Sequence, residues 1–272
     1  NPKVQDYVFG IVDRIMTENP DVAYFKWDSN SVVTNIFSPY HKASQGNFYI
    51  DHIRGIYSVL TRIHDKSPDL PMMLCSGGGG MLWFSPQIWC SDDTDPYERI
   101  YIQWGLSKFF PAKTMSSHVT NWNRNTSVKF RTDVCSSCKL GFDIDLKSLS
   151  AEEYQFVKQA VSNYDLMKPV IFDGDLHRLV SPYEGNHCAI NYVSKDQQRA
   201  VLFVFDLHPR YMEPLTNVRL QGLDPDRTYT VRETNLMPGK KSELACDGKQ
   251  YSGDYLMKVG LSVFTPRTGN SH

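Results

Sequence analysis

Between Val4 and Leu166, amphipathic helical stretches alternate with apolar runs too short to be helices. Val4–Glu18 carries Val8, Ile11, Val12 and Ile15 on one stripe, and Pro2 stands where a helix would start. Asp21–Asp28 reads as a strand. Gly46–Lys66 reads as a helix with Ile50, Ile53, Ile56, Tyr57, Leu60 and Ile63 facing in. The strand Leu70–Cys75 stops at a glycine run, and Ser85–Asp92 stops at an acidic cluster. The helix Tyr97–Phe110, strand Ala112–Thr120, helix Ser127–Leu140, strand Gly141–Leu146 and helix Ser150–Leu166 follow. The last begins with a capping box, Ser150 and Glu153. Strands spaced by single helices suit a parallel sheet, because a parallel pair needs a crossover long enough to hold a helix. Two architectures satisfy this: a (β/α)8 barrel and a doubly wound sheet. Both place polar, functional residues at the C-terminal ends of their strands.

Near Pro169 the pattern changes to period two. Val170–Val180, His187–Val193, Ala200–Leu207, Val218–Leu220, Thr228–Glu233 and Tyr255–Phe264 read as strands separated by turn signals such as DPD and MPGKK. The expected division is therefore an α/β portion over residues 1–168 and an antiparallel β domain, a small sandwich, over 169–272.

Composition narrows the function classes. The net charge is −1 and the pI about 6.8, without the basic surface that nucleic-acid binding needs. No apolar run approaches the length of a membrane span. Six cysteines form no evident disulfide framework. The single C-x-x-C, Cys135–Cys138, lacks a second pair or neighbouring histidines to complete a zinc site. The glycine run after Cys75 matches neither phosphate-loop nor dinucleotide fingerprint. No G-x-S-x-G or H-E-x-x-H is present. No metal or organic cofactor is expected.

Two carboxylate sites stand out. KWD, at Lys26–Trp27–Asp28, ends one strand. SDDTDP, at Ser91–Pro96, follows another and crowds Asp92, Asp93 and Asp95 together. Asp28 reads either as a helix cap or as a nucleophile beside a cation. In a barrel, Asp28 and Asp92 would be two β/α units apart, at neighbouring strand ends. Two such carboxylates suit glycoside hydrolysis, one attacking the anomeric carbon and the other protonating the leaving oxygen. Asp93, Asp95 and Trp89 could raise the acid's pKa by like charge and desolvation. His118 and Asn121–Asn123 sit at a further strand end, and Trp27, Trp89, Trp104 and Trp122 are candidate sugar platforms. Core or rim positions explain most such tryptophans.

Together, KWD, CSGGGG at 75–80, PQIW with SDDTDP and ER across 86–99, and IQWG at 102–105 resemble the α-galactosidases of glycoside hydrolase family 36. FRTDV at 130–134, KLGFDIDL at 139–146, GLDPDRTYTVRETN at 222–235 and YSGDYLMKVGL at 251–261 extend the resemblance over essentially the whole chain. It implies a partial (β/α)8 TIM barrel, about strands 4 to 8, followed by the C-terminal β domain. It implies a retaining α-galactosidase with Asp28 as nucleophile and Asp92 as acid/base. Lys26, Cys75, Gly77, Gly78 and Trp89 would contact galactose, while Asp93 and Asp95 would orient the loop or cap the next helix. The implied ligand is an α-galactoside oligosaccharide, with no nucleic-acid or membrane partner.

Three departures qualify this. By the resemblance, Asn1 falls just after the third barrel strand, so the chain is expected to need an N-terminal half or a partner subunit, a homo-oligomer being one form. Gly80 runs directly into Met81, which shortens the loop beside Cys75. Ser29 stands where the family carries a larger or apolar residue. An inactive carbohydrate-binding fragment, an α-N-acetylgalactosaminidase and a galactosyl-transfer enzyme are the alternatives. The sequence does not choose between a periplasmic and a cytoplasmic location.

Overall fold

The computed structural model describes residues 1–28, 37–75, 87–122 and 125–264. The chain divides into two compact units, Asn1–Trp89 and Cys90–His272.

The first unit contains α1 (Pro2–Glu18), β1 (Phe25–Trp27), α2 (Phe48–Lys66), β2 (Met72–Leu74) and β3 (Gln87–Trp89). The Asn1 side chain accepts from Lys3 N–H at 3.0 Å, so α1 starts with its first donors satisfied. The strands are parallel, as the helical spacing suggested. Phe25, Lys26 and Trp27 pair with Met72, Met73 and Leu74, and Met73 and Leu74 with Gln87 and Ile88. Val12, Val59, Leu60, Ile63 and Met72 form a core to which Phe25 and Trp27 add partly buried rings. Leu60 is fully buried, and covering a leucine stabilises by about 1.5–3 kcal/mol. Arg62–Asp6 and Lys66–Asp13 link the two helices at the surface, where such pairs contribute at most about 1 kcal/mol each. The apolar stripe predicted for α2 is only half correct. Leu60 and Ile63 are buried, but Ile50, Ile53 and Tyr57, in the first half of the helix, are exposed.

The second unit opens with α3 (Pro96–Leu106), β4 (Met115–Thr120), α4 (Val128–Ser136), β5 (Lys139–Asp143) and α5 (Ala151–Asp173). β4 and β5 are parallel from Ser116↔Lys139 to Thr120↔Asp143. The Ser150–Glu153 capping box is present. Antiparallel strands β6 (Asp175–Val180), β7 (His187–Val193) and β8 (Ala200–Asp206) follow, in the order β6-β7-β8. Then come β9 (Thr228–Thr230), β10 (Gln250–Ser252), which pair antiparallel, and α6 (Gly253–Lys258). One core joins Ile100, Val134, Tyr164, Val170 and Ile171 to Cys188, Tyr192, Phe203 and Phe205, so the antiparallel sheet packs on the helices before it.

Several predicted elements change. In place of a strand at Val218–Leu220, Val218 makes an isolated antiparallel bridge to Leu261. α4 ends at Ser136, and Lys139–Leu140 begin a strand instead of ending the helix. α5 passes through Pro169 to Asp173, so Val170–Asp173 are helical. Burial of Val170 and Ile171 outweighs the backbone hydrogen bond that proline removes. The helix stops at Gly174, where a Cβ would lie 2.3 Å from the Val170 carbonyl oxygen and 2.5 Å from that of Val193. Finally, Tyr255–Lys258 are helical because the Ser252 hydroxyl accepts from Tyr255 N–H at 3.1 Å. Among the described residues, no helix is long and apolar enough to cross a membrane.

Candidate active site

Alternation along a strand sends successive side chains to opposite faces. In β1, Phe25 and Trp27 face the α1–α2 core. Tyr24, Lys26 and Asp28 therefore take the other face. The register then builds two rows. Lys26, Met73 and Gln87 are neighbours in the first. Two residues further along each strand come Asp28, Cys75 and Trp89, the second row, at the C-terminal ends. Cys75 is held at this level by its N–H, which donates to the Trp27 carbonyl at 2.9 Å.

Lys26 bridges the rows. Its Nζ lies 4.8 Å from the centroid of the Trp89 ring. A cation over an indole gains about 0.5–2 kcal/mol, depending on desolvation, and it orients both groups. Asp28 is exposed, Trp89 is half-buried and Cys75 is buried. Tyr24 and Gln87 belong to the same face, with the Tyr24 hydroxyl donating to Gln87 Oε1 at 3.3 Å. Burial raises the Tyr24 pKa, which keeps this hydroxyl a donor. Neither residue was a sequence candidate. The available signal was parity, since Tyr24 stands two before Lys26 and Gln87 two before Trp89.

Asp92 belongs to the second unit, exposed on the loop that leads into α3. The three clustered carboxylates have different tasks there. Asp95 is the N-cap of α3 and accepts from Tyr97 N–H at 2.9 Å and Glu98 N–H at 3.2 Å. Asp93 Oδ1 accepts from Asp95 N–H at 3.0 Å, and the Ser91 hydroxyl accepts from Asp93 N–H at 3.1 Å. Thr94 is buried, its hydroxyl 2.8 Å from that of Thr120 at the end of β4. Two of the three carboxylates thus order the turn. Burial pushes the neighbouring Cys90 thiol up to about 12, so it stays protonated.

Of the predicted site residues, Lys26, Asp28, Cys75 and Trp89 share one face of the first unit. Gly77 and Gly78 lie outside the described residues. His118 packs its ring over Gly141, its partner across β4 and β5, where a Cβ would come within 2.3 Å of the ring. Trp27 and Trp104 pack against cores instead of forming sugar platforms, whereas Trp122 is exposed. The six cysteines are free thiols. Among the described residues, no cluster of three or more His, Cys, Asp or Glu side chains could hold a metal ion.

The Melibiase family model matches residues 1–174, and the model for the glycosyl hydrolase family 36 C-terminal domain matches residues 187–271. The chain is 32% identical over 269 residues to alpha-galactosidase 1 of Pediococcus pentosaceus, covering 95% of this chain and 35% of that protein. Among solved structures, it resembles the GH36 alpha-galactosidase AgaB from Geobacillus stearothermophilus. There the TM-score is 0.87 at 31% identity, over 99% of this chain and 36% of that one. It also resembles a variant of alpha-galactosidase AgaA from the same organism in complex with stachyose, with TM-score 0.87 and 31% identity, over 98% of this chain and 37% of that one. The chain thus spans about a third of the length of these relatives. Parallel β/α units followed by antiparallel sheets fit part of a TIM barrel and its C-terminal domain. With a family match over well more than half its length, the chain belongs to the Melibiase family, and its last third carries the glycosyl hydrolase family 36 C-terminal domain.

Proposed function

We propose that the protein is a retaining α-galactosidase that removes terminal α-linked galactose from oligosaccharides. The observation that carries this is the row Asp28, Cys75 and Trp89 at consecutive strand ends, with Lys26 stacked on Trp89. In this reading Asp28 attacks the anomeric carbon and forms a galactosyl ester, while Asp92 gives its proton to the departing glycosidic oxygen. Asp92 then takes a proton from water, which attacks the anomeric carbon and releases Asp28. Net retention follows from the two displacements. Trp89 and Cys75 supply apolar surface beside the sugar, and Lys26 donates hydrogen bonds to its hydroxyls. Gly77 and Gly78 complete the galactose contacts.

Residues 1–168 are read as about strands 4 to 8 of the barrel and 169–272 as a C-terminal β-sandwich domain. Family matches ending at 174 and starting at 187 support that division. A further β/α segment, covalent or from a partner, completes the barrel. The stachyose complex of AgaA supports raffinose-type oligosaccharides as the substrate class.

The test is hydrolysis of p-nitrophenyl α-galactoside by the chain, alone and supplemented with the N-terminal portion of the Pediococcus relative. Asp28→Asn is the control. Activity that Asp28→Asn abolishes supports the reading. Activity that survives the substitution, or none in either arrangement, overturns it and leaves a carbohydrate-binding role.

A further inference from the structure

The proposed acid/base, Asp92, stands on an exposed loop with no regular secondary structure of its own. Proton transfer needs its carboxyl held in place, so the question is what fixes the backbone on either side. The Asx and hydroxyl turns at Ser91–Asp95 are short-range and solvent-facing. One long-range restraint is different in kind. Arg99, in the second turn of α3, is among the largest fully buried side chains, at 1% exposure. Its guanidinium points back toward the loop. Nη2 donates to the Ser91 carbonyl and Nε to the Asp93 carbonyl, each at 2.5 Å. These two carbonyls bracket Asp92. Nη1 donates to the Ser117 hydroxyl at 3.1 Å.

The third contact anchors the cation to the rest of the unit. Ser117 Oγ donates to Gln103 Oε1 at 2.6 Å, and Gln103 Nε2 donates to the Val134 carbonyl and the Ser137 hydroxyl, both at 3.0 Å. Arg99, Gln103 and Ser117 are all buried. The loop on which Asp92 stands is therefore tied to α3, β4 and α4 through one planar fork. Arginine suits this place because its donors diverge in a fixed plane. A lysine has one rotatable ammonium and cannot span Ser91, Asp93 and Ser117 together. The helix itself sets the aim: Asp95 caps α3, and Arg99 lies one turn later on the side that faces the loop.

We propose that Arg99 is a positioning residue for the acid/base, holding Asp92 by gripping the main chain on both sides of it. The proposal rests on the reading of Asp92 as acid/base, and it deepens that reading.

The test uses the active, completed protein from the assay above, with Arg99→Lys and two substrates. Raffinose has a poor leaving group and needs protonation. α-Galactosyl fluoride has a leaving group that departs without it. Misplaced acid catalysis lowers kcat/KM for raffinose by about 100-fold and leaves the fluoride within about threefold. An equal fall on both substrates indicates a merely structural role and overturns the proposal. Ser117→Ala removes the Arg99 anchor together with the Ser117 bonds to Gln103 and Cys135 but leaves both loop carbonyls their guanidinium donors; it gives a smaller split of the same sign, which covers the case in which Arg99→Lys does not fold. Hydrogen–deuterium exchange supplies a readout independent of activity. In Arg99→Lys, amides at 91–95 lose protection while α5 keeps its own. Unchanged exchange at 91–95 overturns the proposal. A wild-type protein that hydrolyses neither substrate refutes the proposed function instead, and the exchange result still decides whether Arg99 orders the loop.

Discussion

Replacing Asp95 with alanine tests how the acidic cluster is divided between structure and chemistry. The substitution removes both side-chain hydrogen bonds at the start of α3, to Tyr97 N–H and Glu98 N–H. Losing an N-cap acceptor costs about 1 kcal/mol. Removing negative charge from a helix N-terminus costs about 0.3–1 kcal/mol more. The total, about 1.3–2 kcal/mol, lowers Tm by roughly 3–8 °C for a chain of this size. Asp95→Asn keeps the acceptor and loses the charge, so its loss is confined to the smaller part and shrinks in high salt. Asp93→Ala removes one exposed bond, to Asp95 N–H, and costs about 0.5 kcal/mol. Thermal and urea unfolding of the three variants, followed by far-ultraviolet circular dichroism, give the order directly. A loss in Asp93→Ala as large as in Asp95→Ala would refute the assignment of the cap.

Two further outcomes follow from particular contacts. Gly141→Ala places a Cβ about 2.3 Å from the His118 ring, and such overpacking costs about 1–3 kcal/mol; the cost disappears in a His118→Ala background, and an equal cost in both backgrounds refutes the contact. Burial raises the Asp133 carboxyl to about 6 against the opposing pull of Lys129, so the folded state binds this proton more tightly than the unfolded chain. Its contribution is present below about pH 4 and is lost as pH rises through about 6, by roughly 1–3 kcal/mol once the one-fifth of the side chain left in solvent is allowed for. Asp133→Asn therefore gains stability relative to the wild type between pH 4 and pH 8 in urea titrations, and a difference independent of pH contradicts the burial argument.

Much of this was legible in the sequence. The period of the apolar residues pointed to helices and parallel strands, because a helix between two short apolar runs supplies the crossover that a parallel pair needs. KWD and SDDTDP marked strand ends, and the capping box at Ser150 predicted a helix start that depends only on local hydrogen bonds. Motif resemblance supplied the family and the galactoside expectation, which periodicity alone left open between two α/β architectures. Asp93 and Asp95 as loop and cap residues were also anticipated, since capping is a short-range effect.

Tertiary structure decided what short-range rules cannot. α5 runs through Pro169 because Val170 and Ile171 bury against the antiparallel sheet, a gain that no local propensity contains. Tyr255 is helical because of the Ser252 cap, although its surroundings alternate like a strand. Ile50, Ile53 and Tyr57 show helical periodicity yet are exposed, because periodicity defines a face but not what covers it. Register between strands far apart in sequence brought Asp28, Cys75 and Trp89 into one row and set Lys26 on the indole. Arg99 looked like one more charge on a helix. Only the packed unit shows its guanidinium turned inward onto the two carbonyls beside Asp92, because burying that charge requires partners that the fold alone assembles.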